Sequence, residues 1–229
     1  MKPLQRILTE DGSYTLKRED LGETYHSQKG AITESEHVYL SNGFRYAVQN
    51  KNRIAIAEIG FGTGLNALLT ALERHNGLEI IYYGIDTLPL DSSEMEAMHY
   101  ERTVIHPEAA AVFTKIAHLP WQFGEKPITE AVRDGFQLAK IAVSVRNMQL
   151  PEKVDLIYYD TFAPKYQPEM WEPVVFEHLA TQINPGGLLV TYCAQGKFRR
   201  NLQALGWIVE RVQVAGGLKN EMIRARYPE

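Results

Sequence analysis

The chain has 229 residues, 45% of them hydrophobic and 23% charged, with 24 basic against 28 acidic side chains and a net charge of −4. That mix buries a substantial core and excludes a general polyanion binder, so any nucleic-acid contact must come from a local basic patch. The single cysteine, Cys193, excludes an internal disulfide, no apolar h-region opens the chain, and no run nears the ~18 apolar residues of a membrane span.

A cytoplasmic protein away from membranes is expected, built as one α/β domain over 1–229 with residues 1–50 packing on it as an extension. In chain order, Arg6–Thr9 and Tyr14–Lys17 read as a hairpin turning at Asp11-Gly12. Thr33 and Glu36 have capping-box spacing and predict a helix start there, running to about Val48. Ile54–Ile59 is a strand, followed by a glycine cluster and a helix from Leu65 with Leu65, Leu68, Leu69 and Leu72 on one face. Leu78–Ile85 is a second strand, and Ser92–His118 reads as helices with Pro107 at a helix start. Ile128–Arg133 and Phe136–Val145 form a hairpin across Asp134-Gly135, its second strand continuing into the sheet. Val154–Tyr159 is a strand. Pro173–Gln182 is a helix stopped by Asn184-Pro185-Gly186-Gly187, Leu188–Tyr192 a strand, Lys197–Leu205 a helix. Ile208–Val214 and Glu221–Ala225 close the chain as strands joined at Gly216-Gly217.

Alternating strands and helices imply a parallel sheet covered on both faces. The last two strands have no helix between them and must be antiparallel. The expected architecture therefore resembles the Rossmann-like class I methyltransferase fold: a mostly parallel seven-stranded sheet with a C-terminal antiparallel hairpin, plus small N-terminal and inserted hairpins.

The glycine cluster is Glu58-Ile59-Gly60-Phe61-Gly62-Thr63-Gly64, between strand and helix. Glycine belongs where backbone turns sharply and a ligand approaches closely. The spacing is not the G-x-G-x-x-G of dinucleotide enzymes, and no Lys-Ser/Thr makes it a P-loop. Alone it fits a tight turn without ligand. Asp86, ending the next strand, adds an acceptor for both ribose hydroxyls, so Glu58, Gly60, Phe61, Gly62, Thr63, Gly64, Asn66 and Asp86 are candidate nucleoside contacts. Asp160 ends the following central strand, where an open α/β sheet faces its ligands. With Phe162 it is the candidate catalytic pair, also touching the cofactor. Trp171 is either a stacking platform for a base or a packing residue. Lys197, Arg199 and Arg200 share one helix and suit phosphate contact or a solvated face.

These blocks, with Tyr25-His26-Ser27, Gly30-Ala31, Glu34-Ser35 and His37-Val38, resemble the methyltransferase domain of the MnmC-like tRNA-modifying enzymes. The most specific of them are Asp160-x-Phe162-Ala163-Pro164 and Pro168-Glu169-Met170-Trp171. The likeness continues through Thr191-Tyr192-Cys193-Ala194, Gly196, Arg199-Arg200, Leu202 and Gly217-Leu218-Lys219-x-Glu221-Met222, covering about Tyr25 to Arg224. It implies transfer of a methyl group from S-adenosylmethionine, without a metal, to the aminomethyl group on the wobble (2-thio)uridine of tRNA. Glu34, Trp171, Lys197, Arg199, Arg200 and Lys219 are then the candidate substrate or tRNA contacts. Fused members carry an FAD-dependent oxidase domain as well. The chain resembles the stand-alone form, so another enzyme is expected to make its aminomethyl substrate. Where the family tends to carry an acid after the third strand, Ala142-Val143-Ser144-Val145-Arg146 has none, and Ser144 is the expected substitute. Asn220 stands where the family favours Arg. The competing readings are a small-molecule amine methyltransferase, an aminopropyltransferase of the same fold, and a non-catalytic nucleotide- or tRNA-binding module.

Overall fold

A computed structural model describes residues 4–73, 77–124, 127–213 and 221–229. The expected N-terminal hairpin is present: β1 (Leu4–Leu8) pairs antiparallel with β2 (Tyr14–Arg18), and a short β3 (Glu23–Thr24) adds to β2. Asp11 in the turn gathers hydrogen bonds from Ser13 and Thr9, and from the backbone N–H and hydroxyl of Thr33. Burial pushes the Asp11 carboxyl up, but those bonds outweigh it and hold it down at about 2.

Thr33 is therefore not the expected helix cap. Helix α1 (Ala31–Ser35) starts two residues earlier, after Gly30 at φ 146°, and Thr33 serves the hairpin instead. The helix widens into a π-helical stretch over Glu36–Phe44 before closing as α2 (Arg45–Ala47). Gly43 within it lies against Val190 and Tyr158, where even a Cβ would come within 2.9 Å of Val190.

The central sheet has the order β11–β12–β10–β9–β4–β5–β8–β6, with β7 on β8. These strands are β4 (Arg53–Ile59), β5 (Glu79–Asp86), β6 (Trp121–Gln122), β7 (Glu130–Arg133), β8 (Phe136–Ala142), β9 (Val154–Tyr159), β10 (Ile183–Thr191), β11 (Ile208–Gln213) and β12 (Glu221–Arg226). The run from β8 through β5, β4 and β9 to β10 is parallel, and β12 and β11 close it antiparallel. Nine strands stand where seven were expected, because β7 and the two-residue β6 both join the sheet at β8.

Strand alternation splits the core into two layers. Ile54, Ile56, Tyr82, Leu156 and Tyr158 face one cluster with α3 (Leu65–Leu72), α5 (Ala109–His118) and Leu16 of the N-terminal sheet. Ala55, Ala57, Tyr83, Ile157 and Tyr159 face the other, with α6 (Pro173–Gln182) and α7 (Gly196–Ala204). Between β5 and α5 lie α4 (Ser92–Glu96) and a 3-10 turn at Tyr100–Arg102. Pro107 precedes α5 by two residues rather than opening it. Asn184-Pro185-Gly186-Gly187 ends α6 as expected but belongs to β10, as an irregularity between the pairs Ile183↔Val154 and Leu188↔Leu156. Among the described residues, no helix is long and apolar enough to cross a membrane.

Two outcomes follow from this packing. Phe61 lies flat on Gly84 of β5, where an added Cβ would overlap the ring carbons. Gly84→Ala should lower stability by about 1–3 kcal/mol in denaturant unfolding, the usual cost of overpacking. His26 is buried, and burial pushes its imidazole from 6.5 down to about 4, against an upward pull from Asp11. Between those values the unfolded chain holds a proton that the folded chain does not. Stability should therefore fall as pH drops from 6.5 toward 4, by on the order of 3 kcal/mol. Unfolding midpoints across that range should be flatter for His26→Gln.

Candidate active site

Parallel strands deliver their carboxyl ends to one edge, and there β4, β5 and β9 bring Ile59, Asp86 and Asp160 together. The glycine loop is pinned over the edge: the N–H groups of Gly60 and Phe61 both donate to the Ile85 carbonyl, at 2.9 and 3.1 Å. Gly60, Gly62 and Gly64 have φ of 91°, 50° and 78°, the left-handed region that other residues avoid. A Cβ on Gly60 would strike the Asp160 carbonyl oxygen, so only glycine lets these two strand ends touch. The result is a crevice walled by Gly60, Gly62, Asp86, Val143, Val145 and Asp160, among others.

Asp86 sits in the crevice wall with its carboxylate aimed by backbone. Gly62 N–H donates to Oδ2 at 3.0 Å and Leu88 N–H to Oδ1 at 2.9 Å. Burial raises its pKa, and those amide bonds pull the other way. Each oxygen retains a lone pair, the acceptor capacity a ribose diol needs.

Behind the wall lies a knot of polar groups. Asn66, on the first turn of α3, donates from one Nδ2 to Glu58 Oε1 at 2.8 Å and to Asp160 Oδ2 at 2.9 Å. Tyr82 donates to the other Glu58 oxygen at 2.8 Å. Burial, then the Asp160 charge, pushes the Glu58 carboxyl well above the usual carboxylate range, despite the bonds from Tyr82 and Asn66. Glu58 is 1% exposed and does not line the crevice; with Asn66 it lies beneath Asp160 and holds it.

Several candidates turn away from the crevice. The Phe61 ring enters the core, edge-on to Trp121 at 5.6 Å. The Thr63 hydroxyl bonds Tyr100 at 2.7 Å. The stretch expected to present Ser144 instead lines the crevice with Val143 and Val145, while Ser144 accepts from the Arg146 N–H. Trp171 is no platform: it is buried, edge-on to Tyr159 and Phe198, and donates to the Phe162 carbonyl at 2.9 Å, fixing that loop. Lys197 and Arg200 are exposed and Arg199 half-buried on α7, outside the crevice. Lys219 and Asn220 lie outside the described residues.

A second pocket adjoins the first, with Glu34, Ala163 and Tyr192 in its walls, and Tyr25, Thr161 and Phe162 common to both. Tyr25 meets Phe162 edge to face at 5.1 Å and forms the partition. Glu34 accepts from the Ser27 N–H at 2.8 Å, and Tyr192 donates to the Thr161 carbonyl at 2.7 Å. Tyr25 carries a motif in the sequence, but nothing local places it against Phe162, in the loop that follows β9. Arg18 of β2 also lines the crevice and has no sequence signal beyond its charge.

The donor set suits a nucleoside with a positively charged sulfur. Apolar Ile85, Val143 and Val145 offer a slot for the base, Asp86 acceptors for the ribose, and Asp160 with two aromatic rings a lining that favours a cation. A family model described as S-adenosyl-L-methionine-dependent methyltransferase matches residues 114–228. The tRNA 5-methylaminomethyl-2-thiouridine biosynthesis bifunctional protein MnmC of Cupriavidus necator is 29% identical over 95% of this chain and 33% of its own length. The MnmC of Aeromonas salmonicida is 30% identical over 86% of this chain and 32% of its own length. The chain thus spans about a third of the curated relatives it matches. The crystal structure of MNMC2 from Aquifex aeolicus superposes on 100% of this chain and 73% of that one, with TM-score 0.73 and 19% identity, showing the shared fold. The glycine loop, the aimed Asp86 and the family match converge: the chain belongs to the S-adenosyl-L-methionine-dependent methyltransferase family.

Proposed function

We propose that this methyltransferase acts on the 5-aminomethyl nitrogen of the wobble (2-thio)uridine of tRNA, giving 5-methylaminomethyl(-2-thio)uridine. The observation that carries the reading is the shared wall. Asp160 opens a segment whose next residues, Thr161 and Phe162, line both the cofactor crevice and a second pocket large enough for an acceptor. The names of the MnmC relatives specify this nucleoside. Residues 1–229 act as one catalytic unit in this reading, with 1–50 supplying part of the wall.

Bound S-adenosylmethionine supplies an electrophilic methyl group on a sulfonium. The protein's task is then to present a neutral amine in line with it. Asp160, held through Oδ2 by Asn66, orients the amine, offsets the positive charge growing on nitrogen and takes up its proton. Tyr25 and Phe162 close on the reacting centre and exclude water. Glu34 and Tyr192 meet the base in the second pocket. Lys197, Arg199, Arg200 and Lys219 contact tRNA phosphates. Another enzyme, in the same cytoplasm, supplies the aminomethyl group. A second reading, a small-molecule amine as acceptor, is favoured by Glu23 and Glu34 in that pocket, where Lys29 is the one Lys or Arg among the described lining residues.

Asp160→Asn should lower turnover by roughly 100-fold or more while leaving S-adenosylhomocysteine affinity within a few fold. Turnover near that of the unaltered protein would remove Asp160 from the mechanism, and a pure loss of affinity would reassign it to binding. Asp86→Ala should weaken S-adenosylhomocysteine by roughly tenfold or more in calorimetry, and an unchanged affinity would refute the ribose contact. Labelled cofactor with tRNA from a strain lacking this gene should place label in the wobble nucleoside. Label in small amines alone would favour the second reading.

A further inference from the structure

The crevice holds two carboxylates, Asp86 and Asp160, and among the described residues lining it a single basic side chain, Arg18. Arg18 ends β2, and its side chain is only 6% exposed. Asp20, two residues on, accepts from Nε at 2.9 Å and from Nη2, which sets the plane of the guanidinium from one edge. The Phe162 ring centroid lies 5.8 Å from Cζ and supports one face. Asp20 thus uses Nε and Nη2, and no hydrogen bond from Nη1 is formed within the described residues. Arg18 thus keeps an edge that Asp20 does not use, in a crevice whose lining also includes Ile59, Ile85 and Met170.

The cofactor carries one anionic group, the carboxylate of its amino-acid end. Asp86 and Asp160 repel that group; they suit hydroxyls and cations. Arg18 matches it in charge and in the forked geometry that binds carboxylates through two parallel hydrogen bonds. A nucleic-acid phosphate is the poorer partner, because Arg18 sits inside the crevice and not on its rim.

We propose that Arg18 binds the amino-acid carboxylate of the cofactor and makes the site selective for the carboxylated donor, with Asp20 as a positioning residue. The N-terminal sheet thereby selects the donor. An aminopropyl donor, which lacks this carboxylate, is discriminated against by the same side chain.

The inference rests on the crevice being the cofactor site, and calorimetry separates the two. The unaltered protein should bind S-adenosylhomocysteine roughly tenfold or more tightly than its decarboxylated counterpart. Arg18→Met should lose that factor for S-adenosylhomocysteine and leave the decarboxylated ligand within about twofold. Asp20→Asn should shrink the ratio between the ligands without weakening the decarboxylated one. Equal affinity of the unaltered protein for both ligands would overturn the role of Arg18, whether or not the variants fold. So would parallel loss of both ligands in Arg18→Met. No binding of S-adenosylhomocysteine to the unaltered protein would overturn the site assignment itself.

Discussion

Glu58, buried near the end of β4, and Asp160, half-buried just past β9, meet across one amide nitrogen of Asn66. Like charges sharing one donor repel, and burial adds to the penalty. The amide offsets part of this by donating to both. Glu58 answers the rest by holding its proton more tightly, with Tyr82 on its far oxygen. Because the three residues come from β4, α3 and the position just past β9, the same knot fixes where the glycine turn ends and where the crevice begins.

Most of the fold was readable from residue pattern. The apolar runs Ile54–Ile59 and Val154–Tyr159 alternate between two buried faces, and both proved to be central strands. What escaped was set by distant partners. Thr33 has a cap's spacing, yet Asp11 takes its N–H and hydroxyl. Trp121 and Gln122 are too short a run to announce a strand and gain their place only by pairing with β8.

The site divides in the same way. Gly60, Asp86 and Asp160 stand where strand ends and turn geometry require, so position alone locates them. Phe61, Thr63 and Trp171 share their motifs but support the site from within the core, because a motif records that a residue matters and not which way it points. Arg18 and Tyr25 arrive from a separate sheet and are visible only in three dimensions. The acidic balance is consistent with the crevice, whose ligand carries its positive charge at the reacting sulfur.

Contacts between distant parts of the chain hold the fold together. Tyr25 meets Phe162 at the crevice and, away from it, Arg226 of the last strand donates to the Tyr46 hydroxyl, 180 positions earlier. Non-local pairings of this kind close long loops before they return any contact, which slows folding. The N-terminal wall emerges first during synthesis, well before its partner Phe162. Until the loop after β9 has docked, Tyr25 and Arg18 lack the Phe162 ring that both meet. A ligand held between these walls stabilises only the state in which they have met.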